Sequence, residues 1–461
     1  MDRKAVIGGA LLVALTGCSQ AVSPSPRVST GPPSASTAPT AGSPTPSVAL
    51  AEARLEVVAS GLTAPVALVP VPGLEGMQVI VDQTGLIQLL DHGQVADDAF
   101  LDLRNRVIRL RRDYDERGLL GLAFHPEFES NHRLFAYYGA PVRESAEGPG
   151  PHDHTNTLSE FRAAADGRSA DPSSERILLQ FEQPQFNHSG GALGFGPDGF
   201  LHLGTGDGGG TGDDDEGHSP QGNAQDLAKL NGTVLRLDVD RGDPYAIPAD
   251  NPFADASGGA RPEIYAYGFR NPWRLSWEPE GARRLLVSDV GYGRYEEVDV
   301  VEAGGNYGWR IREGDHCLDR ADPLSAATDC PATAEDGAPL LPPAIEYTHE
   351  EVGVAVVGGY VYRGAALPAL EGRYLFADFS AERPTGDGGF LIGGTLLVAE
   401  PQPGTSGWPW RPLRLEPGSL TEYVTGLAED GSGEIYVLVR RQAGPTGVTG
   451  RIFRLAPRSG D

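Results

Sequence analysis

The chain has 461 residues with 37 basic and 63 acidic side chains, a formal charge of −26. That balance argues against a nucleic-acid partner, because a polyanion is held by a cationic footprint that releases counterions. A hydrophobic content of 39 % is enough for a core, and 62 glycines with 38 prolines fit many short strands joined by turns.

The first segment reads as a targeting signal. Arg3 and Lys4 precede an apolar run from Ala5 to Leu15, too short to span a bilayer as a stable helix. Leu15-Thr16-Gly17-Cys18 has the form of a bacterial lipobox, so residues 1–17 are expected to be removed and Cys18 acylated. The alternative is an ordinary signal peptide with an incidental cysteine. Residues 18–50 are almost wholly Ser, Pro, Thr, Ala and Gly, a composition for a tether. The expectation is an exported lipoprotein, periplasmic or at the cell surface. It touches membrane only through its lipid, and Ser19 favours the outer membrane where one exists.

From residue 51 to 461 no linker interrupts the chain. Six apolar, β-rich runs follow one another at 77–85, 131–139, 197–206, 281–290, 371–379 and 431–439. Each has a second strand-like run behind it, at 85–91, 157–162, 232–238, 296–302, 394–400 and 450–455. Six paired runs with variable loops predict an all-β domain, a six-bladed β-propeller. A pair of β-sandwiches is the alternative, but it does not account for the count of six. The opening segment 55–71 is strand-like without a partner of its own, so it is expected to complete the last blade and close the ring.

Cys317 and Cys330 are the only cysteines after Cys18, in a loop rich in Asp, Pro and Ala. In an oxidising compartment they are expected to pair. Half a zinc site is the weaker alternative.

Three segments carry more polar and glycine residues than turns require. In the first, His188 lies in Asn187-His188-Ser189-Gly190-Gly191, and Asp207 follows nineteen residues later in a glycine-rich stretch. A carboxylate beside an imidazole raises its basicity and fixes its tautomer, which suits a general base. The plainer reading is that both residues cap turns. The second segment is Tyr265-Ala266-Tyr267-Gly268-Phe269-Arg270-Asn271-Pro272-Trp273, where Arg270 and Asn271 present a planar cation and an amide to an anion or quinone oxygen. Arg270 locking blades against an aromatic face is the alternative. The third is Asp289 to Glu297 followed by Gly304-Gly305-Asn306-Tyr307-Gly308-Trp309, glycine-rich backbone beside carboxylates of the kind that coordinates a hard cation. The run Asp213-Asp214-Asp215-Glu216 is another cation candidate, although four consecutive acids are usually a solvated loop.

In this order the segments resemble the soluble glucose/sorbosone dehydrogenase family. Its members are six-bladed propellers that use pyrroloquinoline quinone (PQQ) and Ca²⁺. The stretch Glu116-Arg117-Gly118-Leu119-Leu120-Gly121 through His125-Pro126 and the later Gly359-Tyr360-Val361-Tyr362-Arg363-Gly364 belong to the same resemblance, which covers most of 55–455. The resemblance implies His188 as the base that takes the proton of a sugar's anomeric hydroxyl, with Asp207 orienting it. It implies Arg270 and Asn271 at the quinone oxygens, and the carbonyls of Gly291 and Tyr292 on the calcium. A sugar substrate and an electron acceptor are the implied partners.

The sequence also departs from the family. No lysine lies in Asp378–Pro384 and no arginine in Leu420–Thr425, where the resemblance places the cations for the quinone's carboxylates, and Ala192 stands where an arginine often follows the histidine turn. The only lysines are Lys4 and Lys229. The charge must then be met by Arg270, Ca²⁺ and further arginines, Arg363 being one candidate. The Gly-Asn-Tyr-Gly-Trp segment and two-cysteine loop resemble the branch of hedgehog-interacting-protein-like propellers. Two readings follow: a PQQ- and Ca²⁺-dependent oxidoreductase acting on an aldose, or a non-catalytic propeller that binds a glycan or a protein partner.

Overall fold

The computed structural model describes residues 52–144, 146, 151–319, 330–384 and 390–458. These form six sheets of four or five strands and one two-stranded hairpin. In each of the first five blades the four strands pair in chain order; the first blade is Pro65–Pro70, Met77–Asp82, Leu86–Asp91 and Gln94–Asp102. The sixth joins Tyr423–Glu429, Ile435–Arg440 and Gly450–Ala456 to the chain's first strand, Glu52–Leu62, with Arg414–Glu416 outermost.

The opening segment divides between two blades. Glu52–Leu62 runs antiparallel to Gly450–Ala456, with Val57 opposite Phe453, and closes the ring as expected. Pro65–Pro70 instead begins the first blade by pairing with Met77–Asp82. Proline fits there because it starts the strand.

The six apolar runs are the second strands of the six blades, and the runs behind them are the third strands. Second strands are covered on both faces, which is why they read as unbroken apolar stretches: every residue of Ile435–Arg440 is buried. The core is divided into layers between neighbouring blades. Leu120, Phe135 and Tyr137 of the second blade meet Leu201, Leu203 and Leu235 of the third, and Val357 and Leu375 of the fifth meet Val424 and Val437 of the sixth. Each such aliphatic or aromatic side chain contributes about 1.5–3 kcal/mol by leaving water. Cys317 and Cys330 are disulfide-bonded. Among the described residues no helix is long and apolar enough to cross a membrane. The expected signal, Cys18 and tether fall in residues 1–50, outside the described residues.

Candidate active site

In an antiparallel blade the end of the second strand and the start of the first lie at the same mouth of the ring. An aspartate closes the second strand of the first and fourth blades and lies within the longer second strand of the fifth, Tyr374–Pro384, and each accepts backbone N–H groups at the approach to the first strand. Asp82 takes that of Ala64 at 2.7 Å. Asp289 takes those of Arg270 and Asn271 at 2.8 and 2.6 Å, and Asp378 that of Ala355 at 3.0 Å. In the third blade the carboxylate takes the Gly209 N–H at 2.9 Å and two side chains. Asp207 Oδ1 lies 2.8 Å from His188 Nδ1, and Trp309 Nε1 donates to Asp207 Oδ2 at 2.8 Å.

The local backbone explains how His188 reaches that position. Its φ is +54°, and Gly190 and Gly191 follow with positive φ. A side chain on Gly190 would meet the Gly204 carbonyl at 2.6 Å, and one on Gly206 would meet the His188 carbonyl at 1.8 Å, so this crossing requires glycine on both strands. Both members of the pair are buried, His188 at 4 % exposure and Asp207 at 0 %. Burial pushes the Asp207 carboxyl up, but His188, Arg270 and the Gly209 N–H more than offset it, and the group is held below its ordinary value. With Nδ1–H directed at Asp207, Nε2 carries the lone pair, and it makes no hydrogen bond among the described residues. That is the arrangement of a general base.

Glu116 ties this pair to the fourth blade. Its Oε2 accepts the His188 N–H at 2.6 Å and the Asn271 Nδ2–H at 3.3 Å, and its Oε1 accepts the Tyr114 hydroxyl at 2.5 Å. Asn271 Oδ1 in turn accepts the Gly190 N–H at 3.0 Å. Asn271 therefore positions the histidine loop and keeps one amide hydrogen for a ligand. Glu116 stands in a motif that carries the family resemblance but gave it no role. The partners that tie it to the histidine loop and the fourth blade are 72 and 155 residues away, so no local pattern announces them.

Arg270 lies against the rings of Tyr292 and Trp309, its guanidinium 5.6 and 5.5 Å from their centroids. Nη1 donates to the carbonyls of Val290 at 3.1 Å and Gly291 at 2.6 Å, and the buried Nε has no partner. An orphaned guanidinium N–H fits an anionic ligand such as the quinone. The Gly291 and Tyr292 carbonyls are hard oxygen donors of the kind calcium takes, but Gly291 already serves a cation. Calcium fits there only if Arg270 turns away. Among the described residues no group of three or more His, Cys, Asp or Glu forms a ready metal site. The adjoining N–H groups of Tyr292, Gly293, Arg294 and Tyr295 all converge on Glu313 Oε1 at 2.7–3.1 Å and fix this turn.

The remaining candidates separate. Asp213 is buried against His218 at 2.6 Å and the Asn223 and Ala224 N–H groups, a closed structural contact, while Asp214, Asp215 and Glu216 are exposed. Arg363 is paired with Glu429 at 2.7 Å, and Lys229 donates to Asn223 and to the Gly217 carbonyl. A cation that sequence reasoning missed is Arg440, 4 % exposed at the end of the sixth blade's second strand and opposite Tyr423 in register. It therefore lies across from the Leu420–Thr425 segment that has no arginine of its own.

Residues 62–383 match the glucose/sorbosone dehydrogenase family. The HIPL1 protein of Arabidopsis thaliana is 30 % identical over 433 residues, 80 % of this chain and 57 % of its own length. The chain thus spans little more than half of that relative. The putative oxidoreductase (glucose dehydrogenase) of Thermus thermophilus superposes with a TM-score of 0.60 at 27 % identity, covering 87 % of this chain and 99 % of that one. The PQQ-bound aldose sugar dehydrogenase of Streptomyces coelicolor shares the fold, with a TM-score of 0.59 at 21 % identity over 88 % of this chain and 98 % of that one.

Proposed function

Because the chain belongs to the glucose/sorbosone dehydrogenase family, we propose that it is a quinoprotein sugar dehydrogenase, oxidising an aldose at its anomeric hydroxyl with PQQ and Ca²⁺. The observation that carries this reading is the buried His188–Asp207 pair at 2.8 Å, with Nε2 free, Asn271 joined to it through Glu116, and the Arg270 carbonyl accepting the Asp207 N–H at 2.8 Å. The quinone, when bound, supplies the acceptor for the hydride leaving the sugar's C1. His188 Nε2 takes the hydroxyl proton, and Asp207 holds the imidazole in the required tautomer and stabilises the imidazolium that forms. Arg270 and the remaining amide hydrogen of Asn271 would hold the quinone oxygens, and calcium would take the Gly291 and Tyr292 carbonyls. A separate electron acceptor completes the turnover. Export and anchoring through acylated Cys18 belong to the same proposal. Fatty-acid labelling that persists in Cys18→Ala would remove them.

A non-catalytic propeller that binds a glycan or a protein partner is the second reading. The similarity to HIPL1 and the absence of lysine from Asp378–Pro384 favour it. The two readings separate in one experiment: titrate the apo protein with PQQ and Ca²⁺, follow the quinone absorbance, and assay dye reduction with a panel of aldoses. Saturable uptake with aldose-dependent reduction is expected, and no uptake at high quinone concentration leaves the binding propeller.

A further inference from the structure

Five arginines are buried among the described residues: Arg117, Arg236, Arg270, Arg310 and Arg440. Three of them face carboxylates. Arg117 pairs with Asp115 at 2.7 Å, Arg236 with Asp198 at 2.9 Å, and Arg310 with Asp214 at 3.9 Å. The guanidinium groups of Arg270 and Arg440 do not; all their hydrogen bonds go to neutral oxygens. Arg440 Nη1 donates to Gln83 Oε1 at 3.0 Å and Nη2 to the Ala443 carbonyl at 2.5 Å. In both residues the Nε is buried without a partner. A buried guanidinium normally has a carboxylate and a full set of acceptors, since each missing partner costs stability. Two such orphans at one mouth, in a chain of charge −26, are an unused binding capacity for anions.

The two lie at the same mouth. Gln83, which holds Arg440, also donates to the carbonyls of Asp115 and Arg117 on either side of Glu116, and Glu116 reaches Asn271 beside Arg270. The Tyr114 hydroxyl donates to Glu116 Oε1 at 2.5 Å, and the charges of both Arg440 and Arg270 act on it.

We infer that Arg440 is the second cation of a two-armed anion site, acting with Arg270 to hold a ligand that carries two or more carboxylates. The identity of that ligand as the quinone rests on the proposed function; the anion site itself does not. A free di- or tricarboxylate presents the same chemistry.

The test uses the mature protein and two probes, PQQ and citrate, each titrated by calorimetry at two salt concentrations with Ca²⁺ present. Arg440→Gln is expected to weaken PQQ binding at least tenfold and flatten its salt dependence, and Arg440→Lys to restore part of both. Thermal melts of the unliganded variants check that each is folded, and Lys serves as the second variant if Gln is not. If folded Arg440→Gln binds PQQ like the unaltered protein while Arg270→Gln does not, Arg440 is no ligand and the inference falls with the quinone reading intact. If citrate binds in an Arg440-dependent way and PQQ does not bind, the anion site stands and the quinone reading falls. If neither probe binds the unaltered protein, the inference is overturned.

Discussion

Trp309 and His188 share one carboxylate: the indole N–H donates to Asp207 Oδ2 and the imidazole Nδ1 meets Oδ1, each at 2.8 Å. In three other blades the corresponding aspartate holds the backbone ahead of the first strand, whereas Asp207 takes the Gly209 N–H together with these two rings. Asp207→Asn keeps the shape but offers an amide that does not fix the Nδ1–H tautomer. Turnover should fall by a hundredfold or more with little change in sugar KM, since general-base assistance is worth about 10²–10⁴. Trp309→Phe frees Oδ2 and should cost roughly tenfold. Equal activity in Asp207→Asn and the unaltered enzyme would remove the general-base assignment.

Arg270 and calcium are set against each other at the Gly291 carbonyl, where Nη1 donates at 2.6 Å. Arg270→Gln removes a nearby positive charge and frees that oxygen, so calcium should bind the quinone-free protein several-fold more tightly, while PQQ binding is lost. Competition with a chelating dye measures the first effect. Unchanged calcium affinity would place the ion elsewhere.

How much of this was legible follows from where each signal lives. Second and third strands are long, apolar and close in sequence, so all six pairs could be read from the chain. The third blade's first strand, Leu193–Phe195, is short and lies beside glycine-rich loops, and the hydropathy pattern there is erased by the demands of the mouth. His188 and Asp207 are separated by one hairpin and could be paired on paper. Glu116, Trp309 and Arg440 find their partners across blades, and only closure of the ring brings them together. Occupation of the Gly291 carbonyl by Arg270 has no sequence signature, because any residue carries a carbonyl.

Glu116 holds the loop rather than the chemistry. Its carboxylate is the acceptor of the His188 N–H at 2.6 Å, at a residue whose φ is +54°. Glu116→Ala leaves that buried donor unpaired and should cost about 1–3 kcal/mol in urea unfolding. Glu116→Gln keeps an acceptor and should retain most of the stability. A stable Glu116→Ala protein with normal kcat would show that the histidine loop holds its shape without it.

Acid should destabilise the propeller in part through His202. This residue lies on the strand Leu201–Thr205, 3 % exposed, with its ring edge-on to Tyr265 at 5.4 Å and Trp277 at 5.3 Å. Burial is the main reason its pKa is lowered to about 4; Asp198 and the Phe200 carbonyl oppose the shift, and Arg236 adds to it. In the unfolded chain the same ring titrates near 6.5. Between those values the unfolded state binds more protons than the folded state, so stability must fall as pH drops from about 6.5, with the full loss reached below about 4. The loss is on the order of 3 kcal/mol. His202→Phe keeps a flat ring between the aromatics and removes the titration. Its urea midpoint should therefore decline less between pH 7 and pH 4.5 than that of the unaltered protein, because the carboxylates contribute equally to both. Parallel declines would mean that His202 is not held neutral by its burial.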